Sequence, residues 1–197
     1  MQSESFRLAV VIGSVREGRF GPTVANWFIG QVRRRDDVIL DVIDLAETPL
    51  PPRGQARPVV TGEYDSPEVR AFAARIGAAD AFVIITPEYN HGYPGPLKIA
   101  IDSLNPEWHA KPVAFVSYGG ISGGLRSVEQ LRAVFAELHA ITIRETVSFS
   151  MAHSRFDATG RPLQPEKVNA AAKLLLDQLA WWARHIRAAK SLLPYGS

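Results

Sequence analysis

Five short apolar runs alternating with amphipathic stretches constrain this 197-residue chain more than any other feature. The runs are 6–12, 38–45, 81–86, 112–118 and 141–149. Each has the length of a strand, and the third is almost wholly apolar, as a central parallel strand buried on both faces must be. Between them apolar residues recur at steps of three and four. Val24, Trp27, Phe28 and Val32 share one face of 23–34, and Val128, Leu131, Phe135 and Leu138 share one face of the stretch after the fourth run. Ser66-Pro67-Glu68 supplies a cap and then a proline at the first helical position, opening a helix that carries Val69, Phe72, Ala73 and Ile76. A last stretch, 165–189, repeats the rhythm with Val168, Ala172, Leu175, Leu179, Trp182 and Ile186 and reads as a core-facing helix. Strands and helices alternating in this way make an α/β fold, a five-stranded parallel sheet with helices on both faces. No repeat, low-complexity tract or linker interrupts the pattern, so 1–197 reads as one domain.

In such sheets ligands sit beyond the carboxyl ends of the strands, near the point where strand order reverses. The loops to inspect therefore follow the first, third and fourth strands. The first, 13–23, contains Gly13, Gly18 and Gly21, the hydroxyls of Ser14 and Thr23, and the cations Arg16 and Arg19. Glycine backbone, charge-assisted donors and a helix N-terminus at one junction suit an anion. Gly13 and Gly18 have the spacing of a Walker A loop, but Arg19 stands where its lysine belongs and Phe20 where a magnesium-binding hydroxyl belongs. The G-x-G-x-x-G dinucleotide fingerprint is also missing. A terminal phosphate monoester remains as the guest. The loop after the third strand, Pro87-Glu88-Tyr89-Asn90-His91-Gly92-Tyr93-Pro94-Gly95, offers a flat aromatic, an amide and stiff backbone, which suit a planar heteroaromatic ring.

Gly13-Ser14-x-Arg16 after the first strand and Pro87-Glu88-Tyr89-Asn90 after the third, followed by Leu97-Lys98 and Ala100-Ile101-Asp102, resemble the NADPH-dependent FMN reductase family. The similarity of layout runs from about Arg7 to the last helix. It implies a flavodoxin-like three-layer sandwich and an enzyme that passes two electrons from NADPH or NADH through bound FMN to a small oxidant: a quinone, flavin, azo compound or metal oxyanion. The resemblance assigns Ser14, Arg16, Arg19, Phe20, Gly21, Pro22 and Thr23 to the FMN phosphate. Pro87, Glu88, Tyr89 and Asn90 go to the border of the isoalloxazine, and Tyr118, Gly119 and Gly120 to its pyrimidine edge. It assigns no acid–base side chain, because hydride is delivered at the flavin itself. It also implies a homodimer or homotetramer. The chain departs from the family pattern at Ile99, often Asn, at Ser103, often Trp, and at Arg19, often Ser.

Two other readings compete. Gly120-Ile121-Ser122-Gly123-Gly124 matches the G-x-S-x-G elbow of serine hydrolases, and Asp157 or Asp177 with His185 completes the order Ser…Asp…His. That reading leaves the first loop unexplained and puts its histidine inside a helix. A flavodoxin-type electron carrier shares fold and cofactor, but such carriers are typically acidic, whereas the formal charge here is +2. The five histidines have no H-E-x-x-H or comparable spacing, so no metal site is expected. The absence of cysteine removes thiolate chemistry and suits a reducing cytoplasm. The longest early apolar run, 8–12, is too short for a signal peptide or a membrane span. Arg33-Arg34-Arg35, the one basic block, reads as a solvated helix end, so neither nucleic acid nor membrane is an expected partner.

Overall fold

The computed structural model describes residues 4–196. Five parallel strands form one sheet: β1 (Phe6–Ile12), β2 (Val38–Asp44), β3 (Ala81–Pro87), β4 (Pro112–Tyr118) and β5 (Ile141–Phe149). Their spatial order is β2-β1-β3-β4-β5, the flavodoxin-like order, which reverses between β1 and β3. The helices are α1 (Gly21–Val32), α2 (Pro67–Ala78), α3 (Gly95–Asp102), α4 (Leu125–Glu137) and α5 (Pro165–Leu192). None of them is long and apolar enough to cross a membrane.

The alternation of side chains along each strand decides which helix goes where. Phe6, Leu8, Val10 and Ile12 of β1 point to one face and pack with Phe28 of α1 and with Leu175 and Leu179 of α5. Ala9 and Val11 point to the other and pack with Phe72 of α2, Leu97 of α3 and Leu131 of α4. Every residue of β3 and β4 is buried, so the apolar third run does sit in the middle of a doubly covered sheet. Trp108 fills the second layer, packing edge-on against Phe82 and Phe135 and donating its indole N–H to Ile101 O at 3.1 Å.

Element boundaries differ modestly from those read in the sequence. Helix α1 begins at Gly21 rather than Thr23, because a proline in the first turn needs no amide partner and Pro22 has none to lose. Helix α5 continues to Leu192 rather than stopping at Ala189, so its apolar stripe understates its length. The basic block is not simply solvated. Arg35 bridges Asp37 and Asp177, and Asp37 also pairs with Arg184 of α5. These contacts pin the α1–β2 turn to the last helix. The hydrogen bonds from Arg35, and then from Arg184, hold the Asp37 carboxyl at about 2, below its ordinary 3.8.

Candidate active site

The first loop leaves β1 against the neighbouring strand. Gly13 N donates to Ile85 O at 2.9 Å, and a Cβ on Gly13 would lie 3.0 Å from Leu97 Cδ2 and 3.3 Å from Ile85 O. Ser14 is fully buried, and its Oγ shares a 2.8 Å hydrogen bond with the Tyr89 hydroxyl, tying the first loop to the third. Arg19 is turned inward. Its two terminal nitrogens meet the two Asp44 oxygens at 2.5 and 2.7 Å, and one of them also donates to Ser14 O. Arg16 behaves differently: it is exposed, its guanidinium lies 5.9 Å from the Tyr89 ring centroid, and no described side chain pairs with it. Phe20, at the cap position of α1, offers no side-chain acceptor, and the first turn holds no acidic residue. Pro22 carries no N–H and Thr23 N already donates to Phe20 O at 3.1 Å, so what α1 presents beside this loop is the positive end of its dipole.

After β3 the chain makes a two-residue turn. Tyr89 N donates to Gly92 O (2.8 Å) and Gly92 N to Tyr89 O (3.0 Å), with Asn90 and His91 both at positive φ (50° and 69°). Asparagine tolerates that left-handed backbone better than most residues, which gives Asn90 a structural reason to be there. Glu88 accepts from Ser122 Oγ at 2.5 Å, from Arg126 N at 3.1 Å and from Arg126 Nη1 at 2.8 Å. Burial alone would raise its pKa; the Ser122 and Arg126 bonds outweigh burial and hold it below the usual carboxylate range.

The loops after β4 and β5 are bound together. Ala152 N donates to Gly119 O at 3.0 Å and Met151 N to Gly120 O at 2.8 Å. Between these loops and the first and third lies a cleft of about 410 Å³, at the carboxyl edge of the sheet and at the reversal of strand order. Arg16, Arg19, Phe20, Pro87, Glu88, Tyr89, Tyr118, Gly119 and Gly120 line it. Ser14 lies behind Tyr89, while Gly21, Pro22, Thr23 and Asn90 stand off the wall. Met151, Ala152, His153 and Ser154 of the β5 loop also line the cleft, and the His153 ring packs 4.5 Å from Phe20. Sequence reasoning passed them over. Their signal was positional, since β5 flanks β4 and its loop must emerge at the same edge.

Tyr118 supplies the least satisfied group. Its hydroxyl is buried and has no hydrogen-bond partner among the described residues. Ser14 lies nearby, but the Ser14 hydrogen bond goes to Tyr89. Burial, with the neighbouring Tyr89, raises the Tyr118 pKa well above its ordinary value, so the hydroxyl stays protonated and able to donate.

No hydrolase triad assembles around Ser122. Its hydroxyl donates to Glu88, while His185 stacks on Trp181 at 4.1 Å and its Nδ1 faces Trp181 O at 2.6 Å. Asp177 pairs with Arg35 and Lys173, and Asp157 closes its own turn through Thr159 and Arg161. The G-x-S-x-G spelling has another cause. Gly123 and Gly124 sit at φ 63° and 87°, and a Cβ on Gly124 would fall 2.8–3.0 Å from Ser117 and Tyr118 atoms.

The sequence profile of NADPH-dependent FMN reductases matches residues 6–154, a span that holds all four loops. The chain belongs to the NADPH-dependent FMN reductase family. A probable NADPH:quinone oxidoreductase of Oryza sativa is 32% identical to it, covering 92% of this chain and 91% of the relative. An NAD(P)H-dependent FMN reductase of Schizosaccharomyces pombe is 38% identical over 60% of each chain, so the match spans less than two thirds of that relative. The solved flavoenzyme NAD(P)H:(acceptor) oxidoreductase of Paracoccus denitrificans superposes with a TM-score of 0.71 at 19% identity, covering 91% and 98% of the two chains, which shows a shared fold. Family membership decides for a reductase over an electron carrier.

The residues of this FMN reductase family member fit the family's cofactor. An unpaired cation (Arg16) and an uncapped helix start lie at one end of the cleft, aromatic walls (Phe20, Tyr89) line it, and a hydroxyl without a partner (Tyr118) stands beside glycine backbone. A Cβ on Gly120 would meet nothing within 4 Å, so that backbone is open to a guest.

Proposed function

We propose that the cleft binds FMN and that the chain, as one domain spanning 1–197, oxidises NAD(P)H and reduces a small acceptor. The observation that carries this reading is the convergence of four loops on one cleft with phosphate-type chemistry at one end and ring-type chemistry at the other. Arg16 and the α1 N-terminus, with Phe20, Gly21, Pro22 and Thr23 around it, receive the phosphate. Pro87, Glu88, Tyr89 and Asn90 border the ring, and Tyr118, Gly119 and Gly120 meet its polar edge. Bound FMN supplies the hydride-accepting and electron-donating chemistry. The protein's part is to hold it. Ser14 fixes Tyr89, while Ser122 and Arg126 keep Glu88 ionised and turned away from proton transfer. A nicotinamide and then an acceptor enter the cleft in turn. A quinone is the acceptor class best supported, because the rice relative that matches nearly the whole chain is named a quinone oxidoreductase. Azo compounds, free flavins and metal oxyanions are further candidates of the same two-electron kind. We place the protein in the cytoplasm, as a homodimer or homotetramer.

Arg16→Ala tests the site. Loss of one charge-assisted phosphate contact costs about 1.5–3 kcal/mol, so FMN should bind roughly ten- to a hundredfold more weakly in a fluorescence titration. An unchanged affinity would put the phosphate elsewhere.

A further inference from the structure

We propose that Arg19 and Asp44 form a strap that sets the phosphate loop, so that Arg19 serves FMN by holding the loop and not by meeting the phosphate. This deepens the reading above and rests on it. The Arg19 guanidinium reaches sideways to the end of β2. It grips both oxygens of Asp44 in the bidentate arrangement that fixes orientation as well as distance, and it donates to Ser14 O at the root of the loop. Both side chains are only 15% exposed. Asp44 is itself anchored. As the last residue of β2 it stands in register with Ile12, the last of β1, and its Oδ1 accepts from Ala46 N at 3.0 Å while its carbonyl accepts from Thr48 Oγ1 at 2.8 Å. The loop is thus tied to the strand on its outer side by Asp44 and, through Ser14 and Tyr89, to the third loop on its inner side.

Charge bookkeeping agrees. Arg19 is neutralised by its partner, which leaves Arg16 as the loop's arginine with no paired carboxylate among the described residues. Removing Arg19 would both slacken the loop and leave a part-buried carboxylate beside an incoming phosphate. Removing Asp44 would slacken the loop and leave the Arg19 guanidinium held only by Ser14 O. Arg19 and Asp44 are positioning residues, and their effect should be confined to ligands that carry the phosphate.

The test is a titration of wild type, Arg19→Ala, Asp44→Ala and the double variant with FMN and with riboflavin, which has the same ring and no phosphate. The strap predicts that each single variant lowers the FMN-to-riboflavin affinity ratio by about tenfold or more, with riboflavin affinity within about threefold of wild type. It also predicts that the double variant is no weaker for FMN than Arg19→Ala, because one strap is lost only once and the stranded carboxylate is gone. Asp44→Ala keeping or raising the wild-type ratio would overturn the proposal, since a freed Arg19 would then be serving the phosphate directly. Additive losses in the double variant would also overturn it. Should Asp44→Ala not fold, Asp44→Asn keeps the shape, and a fall of the ratio by about threefold or more is expected there; an unchanged ratio counts against the strap. Wild-type protein that binds neither flavin would refute the FMN reading itself, a result distinct from any pattern among the variants.

Discussion

Replacing Tyr118 with Phe removes one oxygen atom, and its effect can be worked out from the structure. The hydroxyl is buried with no hydrogen-bond partner among the described residues, so folding strips it of water and returns nothing. An uncompensated hydroxyl costs about 1–3 kcal/mol. Deleting it recovers that cost but leaves a small void, worth about 0.3 kcal/mol for a volume of roughly 10–15 Å³. The flavin-free Tyr118→Phe variant should therefore be more stable by about 1–2.5 kcal/mol. Unfolding entropy of about 2.1 cal/mol/K per residue gives roughly 0.4 kcal/mol/K for a chain of 197 residues, so Tm should rise by about 2–6 °C. Differential scanning calorimetry of the flavin-free protein reads this directly. Adding FMN should shrink or reverse the gain, because a hydroxyl kept unpaired at a stability cost is one that a ligand satisfies. A Tm that falls, or does not move, would refute the reasoning: the hydroxyl would then have a partner in the flavin-free protein, and the argument that it awaits a ligand would lose its basis.

Three further outcomes follow from the geometry. Asp37 is ionised more readily in the folded than in the unfolded chain, so its contribution is present above pH 3.8 and lost as pH falls through about 2; acid unfolding should show a loss of about 2 kcal/mol over that window, and Asp37→Asn should lack it. Gly124→Ala would force a left-handed backbone on alanine and drive its Cβ against the Tyr118 backbone at 2.9 Å, so urea unfolding should show a loss of about 2–4 kcal/mol. Ser122→Ala removes one of three hydrogen bonds to Glu88 and leaves the two from Arg126, so NAD(P)H oxidation should persist, with ester hydrolysis at background in both proteins.

Much of this molecule was legible in its sequence because the signals were local. Short apolar runs and period-three-and-four stripes marked five strands and their helices, and the loops followed from strand ends. The run 81–86, apolar but for Thr86, announced its central place because a strand covered on both faces has little use for polar residues. What stayed hidden depends on contacts between distant segments. Nothing near Arg19 in the chain points to Asp44, 25 residues on, so their bidentate ion pair could not be read from the glycine-rich loop. Nor did the sequence show that Asn90 sits in a two-residue turn at positive φ, which gives it a structural reason beside the one the resemblance assigns. The β5 loop carried no motif, and only the sheet order brings Met151 and His153 to the cleft. The Ser122 elbow was a spelling produced by glycines that the tight turn after β4 requires.

The most direct test of the account is an absorption spectrum of the purified protein, taken before and after addition of FMN and then, anaerobically, of NADPH. A flavin spectrum that remains with the protein through gel filtration and bleaches on addition of NADPH is the predicted result. A colourless protein that neither retains FMN nor perturbs its spectrum would contradict the assignment of the cleft.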